Sequence, residues 1–252
     1  MKKILFLLLI IANSLSAQNT DEIFSSANNL YKTEKFEEAV ELYKKIESKG
    51  LVSLELFYNL GNSYYKLNKV GPSIYYYEKA LKLDPLNEDV KNNLVFAKRL
   101  ALDKIEELPK SVFQKFNQNY LQKLSYNQWA IVVVVLSALA SLLFLLFYFA
   151  DSPSKKRFYF ATSILSFIFL IASFFITYNQ YSFYKNNKEA IIFVEKTEVR
   201  NAPTFNAEEI FTLHEGTKVI VLDAVDNWLK IKIADGKIGW IISNELKLFN
   251  DF

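Results

Sequence analysis

Apolar and polar positions follow three different rhythms along the 252 residues. Between residues 20 and 102, apolar side chains recur every three or four positions, the mark of amphipathic helices. From Trp129 to Phe149 and from Phe158 to Tyr178 the apolar run is continuous and carries no charge. Each run would extend about 31 Å as a helix, enough to cross the roughly 30 Å hydrocarbon core of a bilayer. Beyond Lys188 the period drops to two, most plainly over Trp228-Leu229-Lys230-Ile231-Lys232-Ile233, and predicts strands.

A shorter apolar run opens the chain. Lys2 and Lys3 precede Ile4 to Ala12, and the small polar stretch Asn13 to Ala17 comes next. Nine apolar residues reach only about 13 Å, so residues 1–17 are predicted to be a signal peptide cleaved after Ala17, with an uncleaved anchor as the alternative because Leu15 is not the small residue expected two before Ala17. A signal peptide carries the chain behind it across the membrane. Two spans would then bring residues 179–252 back to that outer side. Lys155, Lys156 and Arg157, in the short connection against the second span, fit a cytoplasmic loop by the positive-inside rule.

The helical region repeats with a period of 34. Phe57, Leu60, Gly61 and Tyr64, followed by Ser73, Tyr77, Ala80 and Pro85, have the spacing of a tetratricopeptide repeat. Subtracting 34 takes Gly61 to Ala27, Tyr65 to Tyr31, Ser73 to Ala39 and Tyr77 to Tyr43, a more degenerate copy. Residues 88–102, with Val90, Leu94, Ala97 and Ala101 in phase, are predicted to form a capping helix. Repeats of this kind bind peptides on a concave face, predicted here to present Phe24, Asn28, Tyr31, Tyr58, Asn59, Asn62 and Tyr65. A tetratricopeptide subset grips a terminal carboxylate with asparagines plus lysine and arginine. Asn28 and Asn59 fall at the asparagine positions, but Phe24, Asp89 and Asn93 stand where the basic groups should be, which argues against such a clamp.

In the last 60 residues, Val199 to Pro203, Leu213 to Thr217, the strand Lys218 to Leu222, the Asp235-Gly236 turn and Gly239-Trp240 occur in an order that resembles the bacterial SH3-like domain. Val219, Val221, Leu229, Ile231, Ile233, Ile241 and Leu246 are its predicted core. Trp228 and Trp240 either join that core or edge a ligand groove. The predicted fold is therefore a multidomain membrane protein: an all-α tetratricopeptide module (18–105), a juxtamembrane linker (106–127), a two-helix transmembrane hairpin (128–150 and 158–178, joined by 151–157), a linker (179–189) and a small all-β SH3-like barrel (190–252). Phe113, Phe116, Tyr120, Leu121 and Leu124 in the first linker suggest a segment lying along the membrane surface.

Composition narrows the chemistry. There is no cysteine, so neither disulfides nor thiolate catalysis are available, and a net charge of +3 with interleaved signs offers no nucleic-acid grip. His214, the single histidine, has no histidine or cysteine partner and reads as an exposed turn residue. No phosphate loop, serine elbow or HExxH motif occurs, and the spans carry no ionisable group. No catalytic, cofactor or metal site is predicted, and the protein reads as a non-enzyme. The order of modules resembles BatE-like proteins of the bacterial aerotolerance (Bat) operon. That resemblance implies an inner-membrane protein with both mature termini periplasmic. It also implies partners among von Willebrand A-domain membrane proteins, other Bat components and a MoxR-type ATPase. The SH3-like domain adds peptidoglycan as an alternative ligand.

Overall fold

In the computed structural model, whose described residues are 20–249, these signals become eight helices and a seven-stranded antiparallel sheet. The predicted signal peptide lies outside the described residues. The chain forms two compact units, one from residues 20–83, 87–108 and 189–249, the other carrying Pro109–Lys188.

In the first unit, α1 (20–32) pairs with α2 (Phe36–Glu47), α3 (Leu54–Lys66) pairs with α4 (Val70–Leu83), and α5 (Glu88–Leu100) comes after them. Ser53 and Asn87 cap α3 and α5 by accepting from the N–H groups of Leu56 and Val90. The 34-residue period holds in the backbone even where the side chains have diverged. Glu34 and Asn68 both take positive φ, 61° and 56°, and Lys35 N–H to Leu30 O and Lys69 N–H to Tyr64 O are both 2.9 Å. The two turns share one helix-ending geometry. Gly61 lies under Tyr77, where a Cβ would meet the ring at 2.6 Å.

Helix α4 is buried on more than one face, and its three consecutive tyrosines go three ways. Tyr77 faces α3, its hydroxyl donating to Asn62 Oδ1 at 2.6 Å. Tyr76 stacks on Tyr64 at 5.6 Å and donates to Glu47 Oε2 at 2.8 Å. Tyr75 points to the sheet, stacking on Phe249 at 5.3 Å and donating to the Leu248 carbonyl at 3.1 Å. Gly71, Tyr75, Glu78 and Lys82 form the stripe that meets the sheet. Gly71 N–H donates to Glu215 Oε1 at 3.0 Å, and a Cβ on Gly71 would lie 2.9 Å from the Ile192 carbonyl oxygen. Lys218 Nζ sits 3.1 Å from Glu78 and 2.9 Å from Glu189, and Lys82 sits 3.2 Å from Glu189. Ile191 of the sheet and Phe249, just after its last strand, belong to the same apolar core as Phe57, Leu60 and Ile74. The repeats and the sheet are thus one body, not two beads on a string.

The sheet comprises β1 (Lys188–Ile192), β2 (Lys196–Arg200), β3 (Glu209–His214), β4 (Lys218–Val225), β5 (Trp228–Lys232), β6 (Ile238–Ile242) and β7 (Leu246–Leu248), in the order β3-β2-β6-β5-β4-β1-β7. Its own core holds Val199, Leu213, Val219, Val221, Ile231, Ile233, Ile241 and Leu246; Leu229 is only partly buried against them. After α5 the chain runs along this sheet instead of starting a linker. Ile105 packs on the sheet core, and Leu108 N–H donates to the Ala234 carbonyl at 3.2 Å.

The second unit holds α6 (Val112–Tyr120), α7 (Tyr126–Phe149) and α8 (Pro153–Asn186). Both α7 and α8 are long and apolar enough to cross a membrane, and few of the residues in their apolar stretches are fully buried. They pair through small residues, with Ser163 and Ser166 hydroxyls donating to the carbonyls of Ala140 and Leu136, both at 3.3 Å. Helix α8 is longer than the predicted span. Ser152 caps it with Pro153 in its first turn, and no later glycine or proline stops it before Asn186. Lys155, Lys156 and Arg157 therefore lie on its first turns, and most of the predicted 179–189 linker is helical.

Two outcomes are expected. Gly71→Ala should destabilise the first unit by about 1–3 kcal/mol, since a backbone oxygen cannot yield to the new methyl; thermal melting of the detergent-solubilised protein reads this. The second concerns Glu47. Burial alone would raise its carboxyl, but hydrogen bonds from Lys44 and Lys79 outweigh that and hold it at about 2 against an ordinary 4.5. A depressed carboxyl contributes stability above its unfolded value and loses it as the pH falls through the folded one. Denaturant titrations should show stability dropping between pH 4.5 and 2, with a flatter drop in Glu47→Gln.

Candidate functional site

The repeats place the predicted face residues in two different situations. Asn28 Oδ1 accepts from the Tyr43 hydroxyl at 2.6 Å and from Asn59 Nδ2 at 3.0 Å. One repeat later, Asn62 Oδ1 accepts from the Tyr77 hydroxyl at 2.6 Å and from Asn93 Nδ2 at 2.8 Å. Each of these three residues is displaced by 34 from its counterpart, so the asparagines form a ladder that pins successive first helices to one another. Their amides are engaged in holding the fold. Phe24 is likewise drawn into packing, 5.7 Å from the Tyr43 ring. Tyr58 accepts from Asn93 Nδ2 at 3.1 Å.

Beside the second rung of that ladder lies a cleft of about 240 Å³ lined by Tyr31, Asn62, Tyr65, Lys66, Tyr77, Asn93 and Phe96. Three of the seven predicted residues line it, namely Tyr31, Asn62 and Tyr65. Lys66, Asn93 and Phe96 are additions that the period could have found, since Asn93 and Phe96 lie 34 beyond Asn59 and Asn62. The cleft is smaller than the roughly 300–1,000 Å³ of drug-sized ligand sites, which suits a single side chain of a bound peptide. Among the described residues, Lys66 is the one charged residue that lines it, which makes the lining positive. Burial, with Tyr58 nearby, raises the Tyr31 hydroxyl above its ordinary value, which keeps it a neutral donor.

On the sheet, register puts both tryptophans on one face. Trp228 pairs with Ile242, and Lys230 pairs with Trp240, so both rings lie on the face opposite the core residues Ile231 and Ile241. Trp228 is nevertheless 7% exposed, because Phe205 of the β2–β3 loop covers it edge-on at 5.1 Å. Arg200 holds that loop by donating to the carbonyls of Phe205 at 2.9 Å and Ala207 at 2.7 Å. Trp240 is half-buried, with Lys230 Nζ 5.7 Å from its ring centre. Neither ring sits in the sheet core. The face combines aromatic surface with Arg200 and Lys230.

His214 is not the free turn residue its sequence context suggested. It ends β3, and Asp103 takes its backbone N–H and its Nδ1, each at 2.7 Å, and the Thr217 hydroxyl at 2.5 Å. Burial opposes the Asp103 charge, but these donors outweigh it and lower the carboxyl's pKa. The pair fastens the segment after α5 to the sheet.

Comparison with known families agrees with both module readings. Residues 54–87 match the tetratricopeptide repeat family, and residues 195–247 match the bacterial SH3 domain family. Both families suggest binding to other proteins, and the second also suggests peptidoglycan. No curated protein matches the chain.

Phe205→Ala should uncover Trp228. In a background where Trp129 and Trp240 are phenylalanine, iodide quenching of the remaining tryptophan is expected to rise, while an unchanged quenching constant would mean that Phe205 is not its cover.

Proposed function

We propose that this chain is a non-enzymatic, membrane-held scaffold that engages protein partners through its repeats, in a Bat-type aerotolerance or envelope-stress complex. The observation that carries the reading is the cleft of Tyr31, Tyr65, Lys66 and Phe96. It offers aromatic walls and one ammonium, contact chemistry for a partner segment with an apolar side chain beside an acidic one. The resemblance in module order supplies the candidate partners, von Willebrand A-domain membrane proteins and other Bat components. The location comes from the same reading: an inner-membrane protein with α7 and α8 as spans and both soluble ends periplasmic. Residues 20–83, 87–108 and 189–249 belong to one body, which supports their sharing a side of the membrane.

Crosslinking and capture from native membranes, with the whole protein as bait, tests the proposal. A specific membrane partner is expected, reduced at least about tenfold by Tyr65→Ala with Phe96→Ser if the cleft supplies about 1.4 kcal/mol or more of the binding. Equal recovery from the variant would remove the cleft from the account.

The face bearing Trp228, Trp240 and Lys230 favours a second reading, a cell-wall sensor in which the SH3 domain holds peptidoglycan. Sedimentation of the solubilised whole chain with purified sacculi discriminates. Co-sedimentation lost in Trp240→Ala supports it, and no co-sedimentation of the unaltered chain eliminates it.

A further inference from the structure

Helix α6 is the amphipathic element that the second unit leaves uncovered. Val112 and Phe113 are 82% and 87% exposed, and Phe116 and Tyr120 are also exposed. At about 100° per residue these four fall within one arc of about 100°, while Gln114, Lys115, Gln118 and Asn119 occupy the rest. The helix is well begun, with a capping box in which Ser111 and Gln114 each satisfy the other's backbone N–H. Its apolar face is a property of a formed helix, not of a frayed segment.

Three further observations point to what covers it. First, the helix is tied to the mouth of the hairpin. The Leu121 carbonyl, immediately after α6, accepts from Trp129 Nε1 at 2.8 Å and from Gln180 Nε2 at 2.5 Å. Second, the ends of the two long helices meet there in an aromatic cluster, with Tyr126 5.8 Å from Tyr181 and 5.3 Å from Tyr184. Tyrosine and tryptophan at helix ends mark the headgroup layer. Third, charge is one-sided. Pro109 to Ala150 contains no aspartate or glutamate, whereas Lys110 and Lys123 flank α6 and Lys115 lies on it.

From these we infer that α6 lies in the membrane interface, with Val112, Phe113, Phe116 and Tyr120 facing the acyl chains and its lysines facing anionic lipid headgroups. The leaflet is the one at which α7 begins and α8 ends. Apolar burial of such a face, added to attraction between lysines and anionic lipid, is the energetics of an interfacial helix. The inference concerns the anchor alone and stands whether or not the repeats carry the proposed partner.

The chain's lack of cysteine makes the test direct. Single cysteines at Phe113, Phe116, Gln114 and Gln118, all exposed, are labelled with an environment-sensitive fluorophore in the full-length protein. The protein is then placed in nanodiscs of phosphatidylcholine with phosphatidylglycerol. Spin-labelled lipid is expected to quench positions 113 and 116 at least about twofold more than 114 and 118, with iodide giving the reverse order. Replacing phosphatidylglycerol with phosphatidylcholine, or Lys110, Lys115 and Lys123 with glutamine, should reduce the lipid quenching. Equal iodide access at all four positions, or shielding of 113 and 116 from both quenchers as a protein contact would give, overturns it.

Discussion

Three tyrosines in succession on one helix cannot share a face, because successive side chains diverge by about 100°. Tyr75, Tyr76 and Tyr77 are all buried, so α4 has to be enclosed over most of its circumference. The repeat stack supplies two of the three contacts. The third, toward Phe249, Phe193 and the Leu248 carbonyl, is supplied only by the sheet. Enclosure of α4 is what makes repeats and sheet a single folded body, and the ion pairs of Glu78, Glu189, Lys82 and Lys218 close around that contact.

Those ions illustrate how a chain without disulfides stabilises a polar joint. Burial disfavours the charges of Glu78, Lys82 and Lys218, yet Lys218 and Lys98 depress the Glu78 carboxyl while Glu78 and Glu189 raise the Lys218 ammonium. Glu78 and Lys218 each meet two opposite charges, the condition under which a buried pair offsets its desolvation, whereas at Lys82 burial outweighs Glu189 and lowers the ammonium's pKa. The Lys79 ammonium lies 4% exposed, 4.2 Å from the centre of the Phe57 ring and 2.8 Å from Glu47. Its own pKa is lowered, burial outweighing its partners, so the stabilisation there rests with the carboxylate, which has Lys44 and Tyr76 as further donors.

Local periodicity made most of the architecture legible. Gly61, Tyr64 and Tyr77 announced the repeat, uncharged runs announced the long helices, and alternation from Trp228 to Ile233 announced a hairpin. What stayed hidden depended on residues far apart in sequence. Asp103 and His214 are 111 positions apart, and Phe205 covers Trp228 by a loop contact that no strand pattern encodes. The asparagine ladder hid for another reason. Asn28, Asn59 and Asn62 have residue types suited to peptide binding, and only their hydrogen bonds show them turned inward on the repeat. The helical turns at Glu34 and Asn68 use residues other than glycine at positive φ, which removed the usual marker.

The contact between Tyr75 and the Leu248 carbonyl spans 173 residues, with both long apolar helices in between. A ribosome extending at ~5–20 residues per second needs roughly ten to thirty seconds to make that interval. Throughout it, the outward tyrosine of α4 lacks the carbonyl and the Phe249 ring that enclose it in the finished fold. The nascent protein must therefore carry an unfinished apolar face until the last strand has been delivered. Its maturation is gated by the arrival of β7.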